Sequence, residues 1–163
     1  MLRIAHLGVY SWKGGVRVGT DLKMVTGRQY PIDVVMEEIV SGANPKIEHN
    51  DTVKQIEQIF RENGFYTTRE YPIFKIKDKS GRAGRIDLVA RKGKFRVAIE
   101  YDHHGLIKWK SFQKIVQIKP DVAIGIAGKG DMEPNLERAT KYKHLKSAMY
   151  IISLKERRYV CLE

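Results

Sequence analysis

Two acids, Asp87 and Glu100, stand inside neighbouring apolar runs and limit what this chain can fold into more than any other feature. Over residues 85–91 the apolar side chains fall at Ile86, Leu88 and Ala90, with Val89 on the other face. Over residues 95–101 they fall at Phe95, Val97, Ile99 and Tyr101, with Ala98 opposite. That alternation predicts two β-strands. Gly93-Lys94 between them suits a two-residue type II′ turn, which asks for Gly at its first central position. Lys92 then pairs with Phe95, and counting outward sets Asp87 opposite Glu100, with Cβ atoms roughly 4.5–5.5 Å apart. Carboxylates that close repel each other unless something neutralises them, and a divalent cation is the usual answer. The other reading puts both acids on a solvated face, each paired with a neighbouring Arg or Lys.

Composition narrows the choice of partner. Thirty Lys and Arg against nineteen Asp and Glu give a net charge of +11 over 163 residues. A field of that sign suits a polyanion, either nucleic acid or an anionic membrane surface. No apolar run reaches the roughly 18 residues that a bilayer-spanning helix needs. The N-terminal apolar stretch lacks the pattern of a cleaved signal peptide, so a cytoplasmic location is expected. The single cysteine, Cys161, excludes an intramolecular disulfide framework and a cysteine-built zinc site. The length suits one domain covering 1–163, with an N-terminal extension (1–46) and a core (47–163).

Glycines punctuate residues 1–28, which read as short strands and turns. The run from Gly14 to Gly19 lacks the Gly-Lys-Ser/Thr ending of a phosphate loop and reads as hairpin punctuation. Helical spacing covers residues 32–40, closed by Ser41-Gly42. A second helix is expected from a cap at Asn50, Asp51 or Thr52 to Glu62, with Val53, Ile56, Ile59 and Phe60 inward and Asn63-Gly64 as its stop. Then follow a strand over 66–77, a loop over 78–84, the acidic hairpin, a helix over 107–118 and a buried strand over 121–127. A basic helix over 135–145, a strand over 147–154 and an edge strand over 158–162 complete the chain. The result is an α/β fold with a mixed β-sheet core flanked by helices.

That element order, α-β-β-β-α-β-α-β over about residues 50–154, with acids on the second and third strands, resembles the PD-(D/E)xK nuclease superfamily. Its members include restriction enzymes, Holliday-junction resolvases and phage, viral or repair endonucleases, and a viral member would act in the host cytoplasm. Arg85-Ile86-Asp87 supplies the first acid of the signature and Ile99-Glu100-Tyr101 the second. Ile86 stands where the superfamily's name has proline. Asp102 stands where it has lysine, the residue taken to orient the attacking water and balance charge at the scissile phosphate.

Three explanations of Asp102 remain open at this point: a cross-strand ion pair with Arg85, an additional metal ligand, or a site that has lost catalysis and only binds. The superfamily also moves its lysine to the following helix, where Lys108 is the candidate. Lys110 and Lys114 are read as pointing elsewhere, to solvent or to a phosphate. The resemblance further implies an acid on the preceding helix, with Glu57 as candidate and a surface glutamate as the plainer reading. Of His103 and His104, at most one can face the site. Oxygen ligands from Asp87, Glu100, the Tyr101 carbonyl and, on the second explanation, Asp102 suit Mg2+ or Mn2+, with no small-molecule cofactor. Arg82, Arg85, Lys110, Lys114, Lys141 and Lys143 are the expected contacts to DNA, or to RNA, without base readout. Cleavage of both strands of a duplex would call for a homodimer. The alternative function is a catalytically inactive nucleic-acid-binding module on the same fold; a basic subunit meeting acidic protein partners is the third.

Overall fold

The computed structural model describes residues 16–17, 24–25, 28–29, 32–142 and 147–162. In chain order these form β1 (Val16–Arg17), β2 (Met24–Val25), β3 (Arg28–Gln29), α1 (Ile32–Gly42), α2 (His49–Glu62), β4 (Tyr66–Lys77), β5 (Ala83–Lys92) and β6 (Phe95–Asp102). They continue with α3 (Trp109–Ile118), β7 (Val122–Ala127), α4 (Met132–Thr140), β8 (Ala148–Ser153) and β9 (Arg158–Leu162). A seven-stranded sheet runs in the order β1-β9-β8-β7-β6-β5-β4, and β2 pairs with β3 separately. The β6–β7 and β7–β8 pairs are parallel and the others antiparallel. The fold is therefore α/β with a mixed sheet. Most of the glycine-rich segment expected to form strands and turns lies outside the described residues, as do Lys143 and Lys146.

Helices cover both sheet faces. On one, Leu88, Ala90, Val97 and Ile99 meet Ile39 of α1 and Val53, Ile56 and Phe60 of α2. On the other, Val89, Ala98 and Ala123 meet Phe112 and Ile115 of α3 and Met132 and Ala139 of α4. Each large side chain fully removed from water contributes about 1.5–3 kcal/mol. Every residue of β7 and β8 is buried, as expected of parallel strands covered on both sides. No helix among the described residues is long and apolar enough to cross a membrane.

Two helices begin earlier than the sequence pattern indicates. α2 starts at His49 because Thr52, rather than capping, buries its hydroxyl against the Asn44 and Glu48 carbonyls. α4 starts at Met132 and ends at Thr140, with Pro134 in its first turn, where a missing N–H costs nothing. The acidic hairpin keeps the expected register, Lys92 opposite Phe95. Gly93 has φ 61 and Lys94 does not adopt a positive φ, the pattern of a type II′ turn.

The hairpin departs from regularity at Asp87. The β5–β6 ladder ends at Leu88↔Ile99, one step short of Asp87 and Glu100. The β4–β5 ladder passes from Arg69↔Leu88 to Tyr71↔Ile86, leaving Glu70 and Asp87 unpaired with each other. Glu70 itself sits at φ 53, a left-handed conformation that costs a non-glycine residue about 1–2 kcal/mol. Across this point the strand exchanges its faces. Ile86 packs on the α3 side, whereas Leu88, two residues later, packs on the α2 side. The expectation that Ile86 shares a face with Leu88 and Ala90 is thus corrected, and the irregularity re-aims Asp87.

Candidate active site

Where the β5–β6 ladder stops, the two acids fill the gap with their own side chains. The Tyr101 N–H donates to Asp87 Oδ2 at 2.8 Å, and the Asp87 N–H donates to Glu100 Oε1 at 3.3 Å. Side-chain oxygens thus take the place of main-chain partners, and β5 and β6 part between them. Asp87 leans toward α2, with Oδ2 3.7 Å from His49 Nε2. Glu100 leans toward α3, where Lys114 Nζ lies 2.7 Å from its Oε2. The acids are neighbours, as the register implies, but each is served from a different face. Both line a cleft of about 260 Å³ together with His49, Asp102, Lys108 and Lys114.

Lys114 is the correction of greatest consequence. Its side chain is only 14% exposed, and Nζ also donates to the Arg85 carbonyl at 2.6 Å. The expectation that it points away from the acids fails because helical side chains lean toward the helix N-terminus. From position 114 the ammonium reaches back beside Ser111, one turn earlier. Lys108, the expected candidate, does line the cleft, but its side chain is exposed and pairs with Asp102 Oδ1 at 3.3 Å.

Asp102 does not pair with Arg85, which instead binds Glu70 at 2.9 Å. Its buried Oδ2 accepts the Lys108 N–H at 3.0 Å and the Ser111 hydroxyl at 2.9 Å. The carboxylate therefore fixes the first turn of α3, where unpaired N–H groups and the helix dipole favour negative charge. With these bonds in place Asp102 is engaged by α3 while lining the same cleft as Asp87 and Glu100.

His49 escaped the sequence reading because the helix was expected to begin after it. Its Nε2 bonds the Tyr101 carbonyl at 2.9 Å. The Asp87 carboxylate is the main cause that raises the imidazole from 6.5 to about 9, against the opposing effect of burial. Burial, and next the Asp87 carboxylate, push Glu100 from 4.5 up to about 8, against the pull of Lys114. An Asp87 oxygen and the Tyr101 carbonyl thus converge on a point that already holds positive charge, beside a carboxyl whose ionisation is held back. Among the described residues no group of three or more His, Cys, Asp or Glu side chains is arranged to hold a metal ion. The donors here are two carboxylates and one main-chain carbonyl, an oxygen set that fits a hard divalent cation such as Mg2+ or Mn2+.

Comparison of the chain with protein-family models, with curated proteins and with solved structures finds no match. Functional assignment therefore rests on the geometry.

The remaining expected residues divide by position. Arg85 and Lys110 line the cleft, and Lys110 Nζ donates to the Lys77 carbonyl at 3.2 Å. Arg82 is exposed on the loop between β4 and β5. Glu57 is neither a surface glutamate nor a member of the cleft. It is buried against β4, bound by Arg61 at 2.8 Å, Arg69 at 3.0 Å and the Thr67 hydroxyl at 2.9 Å. Lys141 pairs with Glu137 at the end of α4. His103 bonds the Tyr101 hydroxyl at 3.1 Å, and His104 is exposed in the loop after β6. Outside the expected set, Arg157 closes the end of α1 by donating to the Val40 and Ala43 carbonyls, and Arg158 pairs with Glu156 and Glu133.

Proposed function

We propose that this protein is a metal-dependent endonuclease that hydrolyses DNA phosphodiester bonds and binds the backbone largely without regard to sequence. The observation that carries this reading is the cluster of Asp87, Glu100 and Lys114 at the parting of β5 and β6, with Lys114 Nζ 2.7 Å from Glu100. Acid, acid and lysine are the set of the PD-(D/E)xK superfamily, with the lysine drawn from α3 because Asp102 holds its usual place. The proposal extends to a restriction-endonuclease-like arrangement of the elements from α2 to β8.

Asp87, Glu100 and the Tyr101 carbonyl would hold Mg2+ or Mn2+. When bound, the ion polarises the scissile phosphate and lowers the pKa of a coordinated water. Lys114, fixed between Glu100 and the Arg85 carbonyl, orients the attacking water and balances charge at the phosphate. Asp102 acts through α3, holding the turn that precedes Lys114. His49, with Nε2 3.7 Å from Asp87 Oδ2, would offset the Asp87 charge in the metal-free protein. α2 and α3 both begin beside the cleft, and helix N-termini favour phosphate. Arg85 and Lys110 supply backbone contacts.

Incubation with supercoiled, linear and branched DNA tests this. Cleavage with Mg2+ or Mn2+, none in EDTA, and loss in Asp87→Asn and Glu100→Gln are expected. Cleavage in EDTA, or full activity in either variant, contradicts the assignment. A nucleic-acid-binding module without catalysis is the second reading, favoured by Asp102 in the lysine position and by His49 beside the Asp87 and Tyr101 oxygens. It predicts salt-sensitive DNA binding and no cleavage with any metal.

A further inference from the structure

The loop joining β4 to β5 carries a feature that the cleft chemistry does not use. Between the pairs Ile73↔Gly84 and Lys77↔Ala83, β4 inserts Phe74, Lys75 and Ile76 opposite no residue of β5. Gly84 permits this because a Cβ there would stand 3.1 Å from the Ile76 carbonyl oxygen. Ile76 turns partly inward against the α3-side core, while Phe74 is left 75% exposed. Leaving a phenyl ring in water forgoes the burial that stabilises every other phenylalanine described in the chain.

The surroundings of Phe74 are cationic. Lys75, Lys77, Lys79 and Arg82 are all exposed, and Lys110 reaches across to the Lys77 carbonyl. The tip is held in one shape by Asp78 Oδ1, which accepts the Ser80 N–H at 2.8 Å, the Ser80 hydroxyl at 2.7 Å and the Arg82 N–H at 2.9 Å. Asp78, Ala83, Gly84 and Arg85 of the same hairpin line the cleft. β4 is the sheet's outer strand, but Pro72 and the inserted residues interrupt its free edge, which disfavours addition of another strand. A ring flanked by phosphate-binding cations is instead the arrangement that single-stranded nucleic acid uses, bases stacking on aromatics while the backbone follows the charge. A continuous duplex offers no free base face at this position.

We infer that Phe74 and its flanking lysines form a stacking platform for an unpaired base next to the scissile phosphate, so that the substrate is single-stranded or branched at the cut. The inference rests on the nucleic-acid reading of the cleft. Binding is measured in EDTA, so that no cleavage intervenes, with fluorescent oligonucleotides carrying 2-aminopurine either unpaired or inside a continuous duplex. Wild type should prefer the unpaired probe and quench it. Phe74→Ala should weaken that probe by about tenfold and leave the duplex unchanged, while Phe74→Trp should restore both affinity and quenching. Equal effects of Phe74→Ala on the two probes, or no effect, overturn the inference. A shift of Phe74→Ala in sedimentation with unchanged DNA affinity also overturns it, marking the ring as a contact between chains. Metal-dependent cleavage with no Phe74 effect removes the platform alone. A Phe74 effect with no cleavage under any metal removes the nuclease alone.

Discussion

Glu100 and His49 both hold protons more tightly in the folded chain than in the unfolded one. Glu100 moves from 4.5 to about 8 and His49 from 6.5 to about 9. Between about pH 4.5 and 8 the native chain keeps a proton on Glu100 that the unfolded chain has released, so stability from this group falls as pH rises. His49 acts in the same direction between about 6.5 and 9. Thermal melts of the metal-free protein should therefore show a falling Tm from pH 6 to pH 9. Glu100→Gln should flatten that decline, and Mg2+ should raise Tm more at the alkaline end, where it need not displace a proton. Lys114 and Lys108 separate in the same way. Lys114→Ala should slow cleavage by about a hundredfold or more, whereas Lys108→Ala, which removes an exposed partner of Asp102, should change the single-turnover rate by only a few-fold. Asp102→Ala breaks bonds to Lys108 N–H and Ser111 from a buried carboxylate. It should cost about 2–4 kcal/mol in urea denaturation, more than an exposed ion pair would.

At the scale of elements, the hairpin shows what a sequence can and cannot disclose. Alternation and Gly93 suffice to place Asp87 beside Glu100, because turn type fixes register. They do not disclose the exchange of faces at Asp87, which depends on the left-handed Glu70 in a different strand. Nor do they disclose Lys114, whose reach follows from side-chain direction on α3 and from the small Ser111 beside it. Thr52 in sequence looks like a cap, and only its burial against Asn44 shows that the helix starts at His49. The three residues inserted in β4 alternate acceptably in sequence and come to light only from the pairing. Replacing Glu70 with Gly should relieve the φ 53 strain, and after the entropy that glycine adds to the unfolded chain the net gain should be up to about 1 kcal/mol. Calorimetry of Glu70→Gly against Glu70→Val, which should lose stability, checks that the strain is real.

Across the whole molecule, the charge of +11 means that phosphate contacts should dominate affinity. Log K for duplex DNA should fall with log salt at a slope of about −0.9 for each phosphate neutralised. A flat dependence would point to a protein partner. On the proposed function, charge of that size would draw in nucleic acid, and the parting of β5 and β6 would give the bound backbone a place to react. The central claim is that Asp87, Glu100 and the Tyr101 carbonyl together bind a divalent cation there. Electron paramagnetic resonance of Mn2+ titrated with protein at alkaline pH tests it directly. Wild type should deplete the free-ion signal to a defined stoichiometry, and Asp87→Asn and Glu100→Gln, with melting curves showing a folded chain, should leave it nearly intact. Depletion by both variants equal to that of wild type would contradict the claim.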